Sequence, residues 1–143
     1  MERKFWPLLV IAAGGDSGLT PVQLQKTLFL LATSCPNAVA SDSYQFEPYD
    51  YGPFDSSVYR DTEELASEGL VSILPVPGRS WRQYVVTPAG VEVVETVRQG
   101  VPPDIMAYLQ EVVTWAKGLS FSQLVKAIYA RYPEYRVNSV FQY

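Results

Sequence analysis

The chain has 143 residues, of which 48% are hydrophobic and 18% charged, and its formal net charge is −4. This length and balance predict one globular domain with a buried core, and they exclude a disordered chain. No apolar run reaches the roughly 18 residues that a membrane-spanning helix needs.

Two residue types that carry much enzyme chemistry are scarce. Histidine is absent and cysteine occurs once, at Cys35. The chain therefore lacks the usual general base, the Ser-His and Cys-His dyads, and every zinc site that needs imidazole. GDSG at 15–18 is similar to the nucleophile segment of serine proteases, but Ser17 has no histidine to activate it. We expect no catalytic residue, no metal and no cofactor, and the single cysteine favours a reducing cytoplasm.

The first two predicted elements are helices. MERKFWPLLVIAAGG has the basic tip and apolar stretch of a signal peptide, but its apolar residues favour a core helix at 3–13. The residues that share one face of it are Phe5, Leu8, Leu9 and Ala12. The next helix begins with Thr20 as N-cap, Pro21 at the first position and Gln23 completing a capping box. Its apolar residues predict burial on most sides.

The middle of the chain predicts an extended segment, a turn and a third helix. YQFEPYDY can be extended, although Pro48 limits it to an edge strand or an irregular segment. Gly52-Pro53 is the predicted turn. Asp55 or Ser56 then caps a helix over 55–68, which Gly69 ends. The side chains predicted to face inward are Val58, Thr62, Leu65 and Ala66.

The remaining elements are a hairpin and three helices. LVSILPV and WRQYVVT predict antiparallel strands at 70–76 and 81–87, followed by a helix at about 88–98. Further helices are expected at about 103–117 and from Ser120 to about 131. Ser120 and Gln123 form a second capping box, and the last buried stripe is Phe121, Leu124, Val125 and Ile128. The predicted core positions include Leu28, Leu31, Leu65 and Val86.

This order of elements predicts a mainly α fold with a small β-hairpin. Three helices, a two-stranded hairpin and a helix are typical of a winged-helix domain. We expect a single winged-helix-like domain over 1–143, with a core at about 3–98 and C-terminal helices at about 103–131.

Several segments resemble known families. EELASEGLVSILPVPGRSWRQYVVTPAGVEVVE resembles the recognition-helix end, wing and following helix of winged-helix transcription regulators. LQKTLFLLA, YDYGPFDSSVYRDTEEL and AIYARYPEYRVNS together are similar to YwgA-like proteins and the Panacea (SocA-like antitoxin) domain, over about 20–139. This resemblance implies a small non-catalytic bacterial, archaeal or phage protein. Members of the Panacea group are associated with neutralising or presenting a partner toxin.

Charge bears on whether the ligand is DNA or a protein. The pI is near 4.8, and the third helix carries Asp61, Glu64 and Glu68 as a predicted outward stripe, with Arg60 its only cation. Such a stripe would repel phosphates. The long connection before this helix also departs from a typical helix-turn-helix. In favour of DNA, a cluster at the predicted wing could enter a minor groove: Arg79, Trp81 and Arg82. A homodimer formed through the C-terminal helices would place two wings on one site.

The sequence predicts a partner-binding surface around the start of the third helix. Tyr49, Tyr51 and Phe54 either pack beneath the helix or anchor a partner, and Tyr59 and Arg60 would extend an exposed patch. The nearby carboxylates do not match the spacing of a calcium loop. These are Asp42, Glu47, Asp50 and Asp55. A partner protein, including a toxin, is the favoured ligand, and DNA is the alternative.

Overall fold

The computed structural model describes residues 1–39 and 44–142, which form a mainly helical fold with two small antiparallel hairpins. The helices are α1 (Phe5–Ala13), α2 (Pro21–Ser34), α3 (Ser56–Ser67), α4 (Pro88–Val97), α5 (Pro103–Lys117) and α6 (Phe121–Arg131). The strands are β1 (Glu47–Tyr49), β2 (Gly52–Phe54), β3 (Val71–Pro75) and β4 (Arg82–Val86). No helix within the described ranges is long and apolar enough to cross a membrane.

Helix α1 lies at the centre of the core. Every residue from Trp6 to Ile11 is buried, and the helix contacts α2, α3, α4, α5 and β4. It is therefore buried on more sides than the single apolar face predicted from its sequence. The neighbouring core side chains include Leu24, Leu28, Leu31, Val58, Leu65, Leu109 and Val113.

Both predicted capping boxes are confirmed. The amide of Gln23 donates to Thr20 Oγ1 at 3.3 Å, and the amide of Thr20 donates to Gln23 Oε1 at 2.9 Å. Ser120 and Gln123 repeat this arrangement at the start of α6. Phe121, by contrast, was wrongly assigned to the buried stripe of α6. It is the first residue of the helix, ahead of the buried turn, and it is 46% exposed.

The predicted hairpin of β3 and β4 is confirmed as antiparallel, with Ile73 opposite Tyr84. Tyr84 is the buried residue of β4, whereas Val86 is half-buried. Leu19 forms an antiparallel bridge with β4 on the other side from β3. Its amide donates to Tyr84 O at 2.9 Å and its carbonyl accepts from Tyr84 N at 2.8 Å. Gly18 permits this approach, because a Cβ there would lie 1.9 Å from Tyr84 O.

The turn that joins β1 and β2 lies at Asp50 and Tyr51, so the prediction of a turn at Gly52-Pro53 was wrong. Gly52 pairs with Tyr49, and its φ of +106° allows the chain to leave the turn. Pro53 lies opposite Pro48. Since proline has no N–H, this pair adds no ladder hydrogen bond, and the short hairpin depends on its neighbours.

Those neighbours are α2 and the C-terminal tail. Buried Lys26 donates from Nζ to the carbonyl of Pro53 at 3.1 Å. From the tail, Asn138 donates to Pro48 O at 3.2 Å, and both Ser139 Oγ and the amide of Val140 donate to Asp50 O. The hairpin is thus held between the first half of the fold and the last residues of the chain.

Candidate functional site

The β1–β2 hairpin and the residues just before it present a row of exposed side chains to solvent. Gln45, Glu47 and Tyr49 are exposed, whereas Phe46 and Pro48 between them are partly buried. This period-two alternation is that of an extended strand with one face on the core. Phe54 lies opposite Glu47 across the hairpin, so its ring comes to the same face as Tyr49.

Three aromatic rings form a continuous stack that leads from this face to α3. The rings of Tyr49 and Phe54 are stacked with centroids 4.8 Å apart, and Tyr59 meets Phe54 edge-on at 5.4 Å. Tyr49 is 53% exposed. Tyr59 is half-buried, and burial raises the pKa of its phenol. Tyr59 therefore supports the stack from below, and Tyr49 is its surface ring.

A cleft of about 440 Å³ opens between this stack and the first turn of α3. We call it the α3 cleft, and its lining residues are Arg3, Gln45, Glu47, Tyr49, Phe54, Asp55, Ser56, Ser57 and Arg60. Arg60 is exposed at its edge and donates from Nη2 to Ser57 Oγ at 2.9 Å. Among the described residues, Arg60 forms no ion pair.

The base of the cleft is held by hydrogen bonds to Asp55. Its carboxylate caps α3 by accepting from the amide of Ser57 at 2.8 Å, and it also accepts from the amide of Gln45 at 2.7 Å. The buried amide of Gln25 donates to Asp55 O and accepts from Asp55 N. Asp55, rather than Ser56, is therefore the helix cap, and its carboxylate is committed to the backbone.

The predicted outward stripe of α3 is wrong for Asp61, which is buried, whereas Glu64 and Glu68 are exposed as predicted. Asp61 is only 7% exposed, because it lies one turn from Val58 and Leu65 on the core-facing side. Arg3 donates from Nε to Asp61 Oδ2 at 2.8 Å and from Nη2 to Oδ1 at 3.0 Å. Lys4 donates to the other two carboxylates of the stripe, those of Glu64 and Glu68.

Tyr44 packs over the buried carboxylate of Asp61. Its hydroxyl donates to Asp61 Oδ2 at 2.6 Å, and the Arg3 guanidinium lies 4.9 Å from the centre of its ring. Burial and the adjacent Asp61 carboxylate raise the pKa of the Tyr44 phenol far above its ordinary value. Tyr44, which precedes β1, therefore packs against α3 and covers the carboxylate of Asp61.

The predicted partner-binding residues do not all lie in one place. Tyr49, Phe54 and Arg60 meet at the α3 cleft, and Tyr59 lies beneath them. Tyr51 instead meets Phe121 edge-on at 5.0 Å, on the side of the hairpin that faces α6. Arg3 is a cleft residue from a distant part of the sequence that was not predicted, since no local pattern links position 3 to the β1–β2 hairpin.

The predicted wing residues lie together at the exposed tip of the β3–β4 hairpin. The guanidinium of Arg79 lies 5.0 Å from the centre of the Trp81 ring, which is 42% exposed. Arg82 begins β4 and is also exposed. The tip therefore presents two cations and one aromatic ring to solvent.

The structure also describes most of the residues that were weighed from the sequence as a nucleophile and as metal ligands. Ser17 has a lysine partner: Lys117 donates both to Ser17 Oγ and to the carbonyl of Gly14, so this ammonium ties the loop after α1 to the end of α5. Of the four carboxylates considered as metal ligands, Asp42 lies outside the described residues. No group of three or more His, Cys, Asp or Glu side chains in the described ranges could hold a metal ion.

Comparison with known proteins gives no relative. No family model, curated protein or solved structure matches the chain. The resemblance to YwgA-like and Panacea domains stays a prediction from the sequence motifs.

Proposed function

We propose that this chain is a non-enzymatic, winged-helix-derived regulatory module, antitoxin-like or adaptor-like, that binds a partner protein in the cytoplasm. The order of α1, α2, α3 and the β3–β4 hairpin supports a winged-helix origin. So does the Leu19–Tyr84 pairing, which places a strand residue between the first two helices. The lone Cys35 supports a reducing compartment.

The open aromatic cleft at the start of α3 is the observation that carries the proposal. A helix that reads DNA must offer cations to the phosphates. Here the cations Arg3 and Lys4, which precede α1, form ion pairs with the carboxylates of α3. What stays open at the start of α3 is an aromatic cleft edged by Arg60, and Tyr and Arg are the residues that dominate protein interfaces.

Complex formation with the products of flanking genes tests the proposal. The tagged chain is co-expressed with each neighbouring open reading frame and purified, and we expect one stable complex. The double substitution Tyr49→Ala with Arg60→Ala should weaken that complex by at least about 2 kcal/mol, as loss of a central anchor does. Arg79→Ala with Arg82→Ala is the matched control at the hairpin tip and should leave the affinity unchanged.

A winged-helix DNA-binding regulator is the second candidate, and the exposed Arg79, Trp81 and Arg82 favour it. If DNA is the ligand, these two arginines supply much of the attraction. Their replacement by alanine should abolish retention on duplex DNA and reduce the log-log salt slope by about 0.9 for each lost phosphate contact. Tight binding at near-physiological salt that is lost with these arginines would reverse the order of the two candidates.

A further inference from the structure

Two of the charged side chains that line the α3 cleft already have partners within the chain. Arg3 pairs with Asp61, and the carboxylate of Asp55 accepts two backbone N–H groups at 2.7 and 2.8 Å. Arg60 differs from them. A guanidinium has five N–H donors, and among the described residues only one contact of Arg60 is formed, to the hydroxyl of Ser57. One arginine at the cleft therefore has donors left for a ligand.

We propose that the α3 cleft binds a partner segment in which a single carboxylate lies beside an aromatic or aliphatic side chain. The carboxylate pairs with Arg60, and the apolar side chain packs on the Tyr49–Phe54 stack. This inference rests on the proposed protein-binding function and names the chemistry of the partner.

The geometry prepares Arg60 for a carboxylate. Its bond to Ser57 Oγ holds the guanidinium against the first turn of α3, so less side-chain freedom is lost when a ligand binds. A planar guanidinium matches the two oxygens of a carboxylate, and such charge-assisted pairs are stronger than neutral hydrogen bonds. The positive end of the α3 dipole adds to the attraction.

The stack supplies the apolar half of the site. Tyr49 is more than half exposed although its other face rests on Phe54, and Phe54 in turn rests on Tyr59. These contacts restrain the ring of Tyr49 before a ligand arrives, which lowers the ordering cost of binding. A side chain that covers Tyr49 removes an exposed ring from water.

Glu47 limits how acidic the partner segment is. Its side chain is exposed on the hairpin side of the cleft, and within the described part of the chain it pairs with no cation. It repels a second carboxylate on that side. The cleft therefore favours one acidic residue next to an apolar one over a run of acidic residues.

Selection from a random 12-residue peptide display library against the purified full chain tests this inference. We expect the enriched peptides to carry one Asp or Glu within two positions of Phe, Tyr, Trp, Leu or Ile. The best peptide, synthesised with a fluorophore and measured by anisotropy, should bind at least about tenfold more weakly to Arg60→Gln and to Tyr49→Ala. Arg79→Gln removes an exposed arginine elsewhere and should bind as the parent does.

Charge reversal gives the sharper readout. The variant Arg60→Glu should select peptides with Lys or Arg in place of the acidic residue. Because Arg60 is exposed, the variant should fold, which its thermal unfolding curve checks. Peptides that lose binding with Tyr49→Ala but keep it with Arg60→Gln would overturn the carboxylate inference and leave protein binding in place. A selection with no peptide sensitive to Tyr49→Ala would overturn the cleft as a peptide site, and complex formation with flanking gene products then decides the proposed function separately.

Discussion

Arg3 and Asp61 form a two-point ion pair, with N–O distances of 2.8 and 3.0 Å, that joins the start of α1 to the middle of α3. The carboxylate also accepts from the hydroxyl of Tyr44, so one buried group ties together three parts of the chain. This pair removes the carboxylate of Asp61 from the surface of α3, whereas those of Glu64 and Glu68 remain exposed.

The substitution Asp61→Ala should destabilise the fold by about 1–3 kcal/mol, since it leaves the buried hydroxyl of Tyr44 without its acceptor. Arg3 is partly exposed and can be hydrated, which limits the loss. Urea unfolding followed by circular dichroism measures the change. Glu64→Ala is the control on the same helix: its carboxylate is exposed and Lys4 keeps Glu68, so a much smaller change is expected. Equal losses would contradict the role assigned to Asp61.

The local rules of capping were enough to predict the ends of several helices. Thr20 and Gln23 are three residues apart, so their reciprocal bonds follow from the helix itself. Arg3 and Asp61 are 58 positions apart, and no spacing rule joins them. The sequence therefore predicted the charges of α3 but could not predict which of them the fold would neutralise.

The candidate site shows the same division. Tyr49, Tyr51 and Phe54 were predicted together, either to pack beneath α3 or to anchor a partner. The turn at Asp50 and Tyr51 separates them, and Tyr51 meets Phe121 of α6 instead of the Tyr49–Phe54 stack. A tight turn changes the side to which a ring points within two residues. The turn was predicted at Gly52-Pro53 and lies at Asp50 and Tyr51, so the side of Tyr51 could not be predicted.

Lys26 should make stability depend on pH. Burial lowers its pKa to about 7 from an ordinary value of 10.5, and within the described ranges no carboxylate pairs with it. Between these two values the unfolded chain holds the proton and the folded chain does not. The free energy of unfolding therefore rises with pH across this window, on the order of 1 kcal/mol per pH unit, and levels off below about pH 7.

The variant Lys26→Met should lack this rise. Unfolding in urea at pH 7, 8 and 9 gives the difference between the parent and the variant, which cancels the other titrating groups. We expect the free energy of unfolding of the parent to increase relative to that of Lys26→Met as the pH increases. Lys126→Met, at an exposed position of α6, should keep the slope of the parent. A constant difference between the parent and Lys26→Met would show that the ammonium keeps its ordinary pKa.

Leu65→Ala should cost about 2–5 kcal/mol, the range for a cavity in a packed core. Leu65 is fully buried on the inner face of α3. Leu74→Ala, which makes the same change at an exposed position of β3, should stay within roughly 0.5 kcal/mol. Denaturant midpoints at constant slope report both values. A loss below about 1 kcal/mol at Leu65 would mean that the side chain is not a packed part of the core.

Gly18→Ala should cost more than Gly78→Ala, because Gly18 is crowded and its ψ of −152° also lies outside the left-handed helical region. Both glycines have positive φ values, of 66° and 74°. Nothing lies within 4 Å of a Cβ at Gly78, whereas one at Gly18 would meet Tyr84 O at 1.9 Å. Gly78→Ala should therefore cost only the left-handed strain of about 1–2 kcal/mol, and Gly18→Ala substantially more, because it breaks the Leu19–Tyr84 pairing. Thermal unfolding ranks them, and similar losses would contradict a close approach at Gly18.

The C-terminal tail should control how firmly the hairpin is held. Asn138→Ala with Ser139→Ala removes the side-chain donors to Pro48 O and Asp50 O. Each bond contributes about 0.5–1.5 kcal/mol, and we expect the loss to appear as local opening because the ladder of β1 and β2 is short. Hydrogen exchange should quicken at the amides of residues 45–54 and stay unchanged in β3 and β4.

Ser67→Ala removes a comparable side-chain-to-backbone bond at the far end of α3 and serves as the control. Since Tyr49 and Phe54 belong to this hairpin, Asn138→Ala with Ser139→Ala should also weaken the binding of a peptide in the α3 cleft. Unchanged exchange in the hairpin would mean that these two side chains do not hold it, and that the amide of Val140, Lys26 and the aromatic contacts are enough.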